Sequence, residues 1–224
     1  MMETPKVVLL GPMYRNVPAT SVIALLTFVM ENSSKQLISG IYFQEGLYVA
    51  VNRNILTAAA MRDWKKGQAT HILWVDDDMS IPPDSLEKLL AHEKQVISGL
   101  YWGRDLKPCV YDLDPFTKWK VAPDSGLHQI DCAGFGCVLM EIEVLDLMAK
   151  HFGDKIWFQT PYIPREFNSV SLPAMALTGE DVYFFKRLKE MGIPAYLDCD
   201  VQCGHVGYMM TDKTLASMMT EEDG

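Results

Sequence analysis

An apolar run, HILWV at residues 71–75, ends in three consecutive aspartates, Asp76, Asp77 and Asp78. Alternate side chains of an extended segment point the same way, so Asp76 and Asp78 converge on one point. Adjacent like charges are costly unless solvated or neutralised, and hard carboxylate oxygens suit Mg²⁺ or Mn²⁺ better than zinc. An isolated D-x-D also fits a solvated turn before a helix, so the motif by itself is weak. A second acidic pair, Glu180 and Asp181, follows Gly179 at the start of a helical pattern. Either carboxylate could take a proton from a hydroxyl nucleophile. The same residues also fit a helix start, with Thr178 and Asp181 as a capping box, and local sequence alone favours the cap.

Three further groups carry weaker signals. His205 lies in the loop sequence CGHVG, where it could ligate a metal, although a lone loop histidine is more often a hydrogen-bonded surface residue. Cys199, Cys203 and His205 lack the C-x-x-C pair of a structural zinc site, so zinc is set aside. Gly134 and Gly136 flank Phe135 in AGFGCVLM, which suits either a ligand close to the backbone or a functionless bulge. In GLYWGRD, Trp102 offers a flat face to a sugar and Arg104 a fork to a phosphate.

The elements that position these residues alternate. Residues 6–10 read as a buried strand ending at Gly11 and Pro12, followed by a helix opened by Pro18 with Val22, Leu25, Leu26 and Val29 facing inward. A strand at 38–43 precedes a helix through Val51, Ile55, Ala58 and Ala59 to Lys66. The 71–75 strand leads through Pro82 and Pro83 into a helix with Leu86, Leu89 and Leu90, then a strand at 96–101. This alternation predicts an α/β fold with an open, largely parallel sheet whose ligand crevice lies beyond the carboxyl ends of its strands. After Tyr101, short strands near 109–113, 117–121, 128–132 and 137–142 predict antiparallel pairing. Helices at 143–152 and 180–191 flank an irregular stretch at 161–173, and a strand covers 195–201.

With 224 residues, 49% hydrophobic and 22% charged, the chain is expected to fold as a single domain. Its net charge of -9 argues against nucleic acid and anionic lipid as partners. The longest apolar stretch, 22–30, is too short to span a bilayer, and no basic region of a signal peptide precedes the first strand. Five cysteines, an odd number, read as reduced thiols, so the expected compartment is cytoplasmic.

In their order along the chain, these segments resemble GT-A fold glycosyltransferases of the family 2-like group, including small phage and bacterial forms. The likeness rests on HILWVDDDMSIPPDSLEKLL at 71–90, SGLYWGR at 98–104, DCAGFGCVLMEIEVLD at 131–146, IWF at 156–158 and GEDVYFFKRLKEMGIPAYLDCDVQCGH at 179–205. Before residue 70 it is thinner, resting on the GPMY loop and on NRN at 52–54. The resemblance implies a single GT-A domain over 1–224 with a mixed central sheet, a nucleotide-binding half (1–101) and an acceptor-side half (102–224). It implies a Mn²⁺ or Mg²⁺ site at Asp76 and Asp78 completed by His205, and a nucleotide-sugar donor met by Asp76, Asp77, Arg53, Asn54, Arg104 and Tyr14. It also implies an acceptor-activating base, Asp181 with Glu180 beside it, and sugar transfer with inversion to a hydroxyl of a glycan, small molecule or glycosylated polymer. Typical larger members carry an extended acceptor region or a membrane segment, and neither pattern is found here. Two other readings compete: a metal-dependent nucleotidyl or phosphoryl transferase, for which a Walker-type loop is missing, and a sugar-nucleotide-binding module without turnover.

Overall fold

The structure is a computed structural model that describes residues 4–14, 16–160, 162–167, 170–177, 179–207 and 210–211, with the side chains of 162–177 and 210–211 left aside. In chain order the elements of the first half are β1 (Val7–Met13), α1 (Ala19–Ser34), β2 (Ile38–Glu45), α2 (Val49–Lys65), β3 (His71–Val75), β4 (Met79–Ser80), α3 (Ser85–Ala91) and β5 (Val96–Tyr101). There follow β6 (Val110–Leu113), β7 (Phe116–Lys118), β8 (Leu127–Ile130), β9 (Cys132–Ala133), β10 (Cys137–Glu141) and α4 (Ile142–Phe152). The last are β11 (Tyr162–Phe167), β12 (Val170–Leu177), α5 (Glu180–Glu190), β13 (Ala195–Val206) and β14 (Met210–Thr211).

The main sheet runs β14-β13-β5-β10-β3-β1-β2, with β4 and β8 also pairing with β13. β1 is parallel to β2 and β3, and β13 to β5, but β10 runs antiparallel to both β3 and β5. The sheet is therefore mixed, as the family resemblance implies, rather than largely parallel, as the strand–helix alternation suggests. The reason lies in the connection. No helix separates β5 from β10, so the chain re-enters the sheet at the end where β5 left it and must run back. Because β10 comes from after residue 102 yet sits between β3 and β5, the two halves of the chain share one sheet.

β3 is buried on both faces, which explains its unbroken apolar run. Ile72 and Trp74 face one core with Val8, Leu10 and Leu56 of α2, while Leu73 and Val75 face the other with Val7, Leu9 and Phe28 of α1.

Both early helices differ in facing from the expectation. In α1 the buried residues are Ser21, Phe28 and Asn32, whereas Val22 and Leu26 are exposed. In α2, Val51 and Ile55 are exposed, and the inward face carries Asn52, Arg53, Leu56 and Thr57. Apolar periodicity misreads both because polar side chains occupy inward positions and apolar ones outward positions. The 161–173 stretch, expected to be irregular, holds instead the antiparallel pair β11 and β12, which form a small sheet of their own. Pro164 and Pro173 are tolerated there because in a two-stranded sheet both strands are edges.

Candidate functional site

From β1 the chain crosses through α1 to β2 on one side and returns through α2 to β3 on the other. The carboxyl ends of β1 and β3 thus diverge at a switch point, where open α/β sheets leave a crevice. An open cleft of about 490 Å³ lies there, lined by Met13 and Tyr14 after β1, Gly46 and Leu47 before α2, Asn52, and all three aspartates after β3. Asn52, which sequence reasoning did not single out for the site, donates from Nδ2 to the Gly46 carbonyl at 3.1 Å and fixes the cleft's loop.

Asp76 turns inward. Its Oδ1 accepts from Arg53 Nη2 at 2.7 Å, and Arg53 Nε donates to Glu180 Oε1 at 3.2 Å, so one guanidinium joins the two acidic segments. Arg53 is only 2% exposed and lies among the rings of Trp74, Phe135 and Phe158, with centroids 5.4, 5.0 and 5.9 Å away. Burial opposes its charge, but Asp76 and Glu180 outweigh that and raise its pKa. Burial also pushes the Asp76 carboxyl upward against the pull of Arg53. Nη1 of Arg53 is buried without a hydrogen-bond partner among the described residues.

Asp78 turns the other way. Its Oδ2 lies 2.9 Å from His205 Nε2 and 3.8 Å from Arg104 Nη2. β4 pairs with β13 so that His205 stands opposite Met79, and the Val206 N–H donates to the Asp78 carbonyl at 2.7 Å. His205 Nδ1 is 3.2 Å from the Trp102 carbonyl, which only accepts, so Nδ1 carries a proton. Nε2 then faces a carboxylate, a pairing that calls for positive charge between them. The hydrogen bond to Asp78 raises the His205 pKa, against desolvation. Asp77, between the two, accepts a hydrogen bond from the Tyr14 N–H and ties the ends of β1 and β3 together. Burial raises its carboxyl pKa.

The acidic pair of α5 stands behind this cluster. Gly179 is the N-cap, with no side-chain capping bond, and Thr178 of the expected capping box lies outside the described residues. Asp181 Oδ1 accepts from the Val182 N–H at 2.7 Å. Burial, with Glu180 beside it, pushes its carboxyl up to about 6. A methyl on Gly179 would collide with that carboxylate, so glycine leaves it room.

Other expected site residues have structural partners. Asn54 donates from Nδ2 to the carbonyls of Ala50 (2.9 Å) and Phe158 (2.6 Å) and accepts from the N–H groups of Trp157 and Phe158. Its amide holds the 157–158 segment against α2 instead of facing the cleft. Trp102 is 6% exposed and packs in the core, so it presents no open face to a sugar. Methyl groups on Gly134 or Gly136 would strike the Tyr101 ring, so those glycines admit a tyrosine, not a ligand. Tyr101 in turn presents its ring to His205 at 5.9 Å between centroids. Tyr14 is exposed at the cleft's lip. All five cysteines are free thiols.

For a hard divalent cation, Asp78 and His205 offer an oxygen and a nitrogen, which are hydrogen-bonded to each other at 2.9 Å. Asp76, the third expected ligand, is engaged by Arg53. Among the described residues no three His, Cys, Asp or Glu side chains form a ready cage.

No family model matches the chain, and no curated protein matches it. Among solved structures, A197 from STIV matches with a TM-score of 0.57 and 19% identity, over 90% of this chain and 86% of that chain. The two share a fold. The catalytic domain of Drosophila β1,4-galactosyltransferase 7, solved with xylobiose, matches at 0.48 and 16% identity over 92% of this chain and 68% of that chain, too loosely to carry an argument. No helix among the described residues is long and apolar enough to cross a membrane.

Proposed function

We propose that this protein is a metal-dependent glycosyltransferase that moves a sugar from a nucleotide-sugar donor to a hydroxyl acceptor with inversion. The reading is supported above all by one observation: Asp76–Asp78, His205 and the Glu180–Asp181 pair, far apart in the sequence, meet beside a cleft at the sheet's switch point. The cleft takes the nucleotide, with Tyr14 at its lip and Asp77 bracing its floor.

Asp78 and His205 would hold Mn²⁺ or Mg²⁺, which when bound stabilises negative charge on the departing diphosphate. Arg104, exposed beside Asp78, adds a cation for the same phosphates. Arg53 holds Asp76 and Glu180 in place and contributes fixed positive charge beneath the donor. Glu180 is thereby committed to a guanidinium. Asp181, hydrogen-bonded to the Val182 N–H rather than committed to a guanidinium, and with a carboxyl near 6, is the better general base: ionised at neutral pH, yet basic enough to accept the acceptor's proton.

The test is incubation with a panel of nucleotide sugars and Mn²⁺, followed by release of nucleoside diphosphate. Diphosphate release that requires the cation and accelerates with hydroxyl acceptors is expected. Release of pyrophosphate would point instead to nucleotidyl transfer, and tight donor binding without release to a module lacking turnover.

A further inference from the structure

The edge of the sheet at β2 is unlike the rest of the surface. β2 ends the strand order, so among the described residues one side of its backbone has no strand partner. Its sequence, ISGIYFQE, has a single charge, no proline and no lysine, and its one irregularity, at Ser39, lies at the start, so from Gly40 to Glu45 the edge is regular and carries little of the usual protection. Ile41 and Phe43 pair with Leu9 and Gly11 of β1, which puts them on the α1 face of the sheet, and they are 38% and 45% exposed.

α1 continues that surface. From Ala19 to Met30 it contains no charged residue, and large apolar side chains lie on its outer face as well as its inner one, a pattern ordinarily covered on both. The flank with Asn32 and Lys35 turns to α3 and the loop before it, through Asn32 Nδ2 to the Pro83 carbonyl and Lys35 to Glu87. α1 also packs against β2. Ile23, Leu26 and Met30 crown the helix at 65%, 57% and 73% exposure. Side chains of this size, about half exposed, make a patch on the order of 600 Å², at the limit of the ~300–600 Å² usual for monomers. With the strand edge added, it approaches the ~800 Å² per partner of a standard interface.

We infer that this surface is a two-fold interface with a second copy of this chain, in which β2 pairs antiparallel with its mate and α1 packs against α1. The unpaired backbone row of β2 selects a polypeptide over a bilayer, because lipid tails offer it neither donors nor acceptors. The lack of basic residues agrees: Lys35, at the end of the helix, is already paired with Glu31 and Glu87. An uncharged patch beside a free strand edge is complementary to itself, and a two-fold axis joins both at once into one continuous sheet. The inference is independent of the proposed chemistry, since it uses none of the cleft residues.

Sedimentation velocity over a concentration series tests it, with Leu26→Lys/Met30→Lys and, separately, Ile41→Lys as variants. All these positions are exposed, and circular dichroism melting checks that each variant folds. A wild-type dimer is expected, with its dissociation constant raised about 100-fold by either variant. Amide exchange in β2 should slow at concentrations where the dimer forms. A wild-type protein that stays monomeric to its solubility limit overturns the inference, as does one that is monomeric but co-sediments with anionic vesicles. A dimer that survives both variants overturns it as well.

Discussion

Asp76 and Asp78 are two residues apart on one strand end, yet they belong to different environments. Both line the cleft and are about equally exposed, at 28% and 26%, but Asp76 is joined to a guanidinium that is 2% exposed and walled by aromatic rings, whereas Asp78 is joined to a histidine and a 73% exposed arginine. The inner pair has its cation built into the fold. The outer pair is a hydrogen bond to a strand histidine beside an exposed arginine. The two carboxylates of one D-x-D motif thus have different partners: Asp76 a buried arginine shared with Glu180, Asp78 a histidine and an exposed arginine.

The sharpest way to break that contrast is Arg53→Met. It leaves Asp76 and Glu180 without their buried counter-charge, and removing one member of such a network costs about 3–5 kcal/mol. Urea unfolding should show that loss. Adding Asp76→Asn and Glu180→Gln to the variant should recover much of the stability, since the uncompensated charges go with the arginine. Recovery without donor binding would separate the scaffold from the chemistry.

Asp181→Asn comes next. Turnover should fall by roughly 100-fold or more with fold and donor affinity kept, because asparagine accepts a hydrogen bond but takes no proton. In the wild type, turnover should rise with pH through one ionisation near 6, as Asp181 becomes a base. The stability effect has the opposite sense. A carboxyl raised from 3.8 to about 6 adds stability below its unfolded value that is lost as pH rises through the folded one. Asp181→Asn should therefore stabilise the protein by about 1–3 kcal/mol above pH 7 relative to pH 4 and below. A variant that melts lower than wild type at pH 8 would assign Asp181 to the helix cap.

Asp78→Asn should abolish Mn²⁺-dependent binding of a nucleoside diphosphate in calorimetric titration while shifting stability by no more than about 1 kcal/mol, as expected for a partly exposed pair. Undiminished affinity would move the cation elsewhere. The smallest effect belongs to Arg104→Ala, whose long, exposed contact should weaken donor binding only a few-fold and lose even that difference at high salt. A large loss would mean that Arg104 closes on the phosphates when they bind.

Much of the site was legible before the fold. β3 and β5 are read to the residue from HILWV and from residues 96–101, because strands buried on both faces carry unbroken apolar runs. The start of α5 at Glu180 follows from Gly179 and the acidic first turn. The direction of β10 was not legible, since it depends on where the chain re-enters the sheet. Nor was the outward face of α1, where residues as apolar as those of the core lie at 57–73% exposure.

What the sequence determined by itself was the local chemistry: which segments extend, which coil, and where carboxylates cluster at their ends, because these depend on periods of two or 3.6 residues and on neighbouring side chains. Only the tertiary structure decided which carboxylate meets which cation. Arg53 reaches Asp76 across 23 positions and Glu180 across 127, and His205 reaches Asp78 across 127. No periodicity encodes such distances. They arise when β4 pairs with β13 and α5 docks beneath the sheet, and low-dielectric burial then turns ordinary arginine, histidine and aspartate side chains into a coupled site.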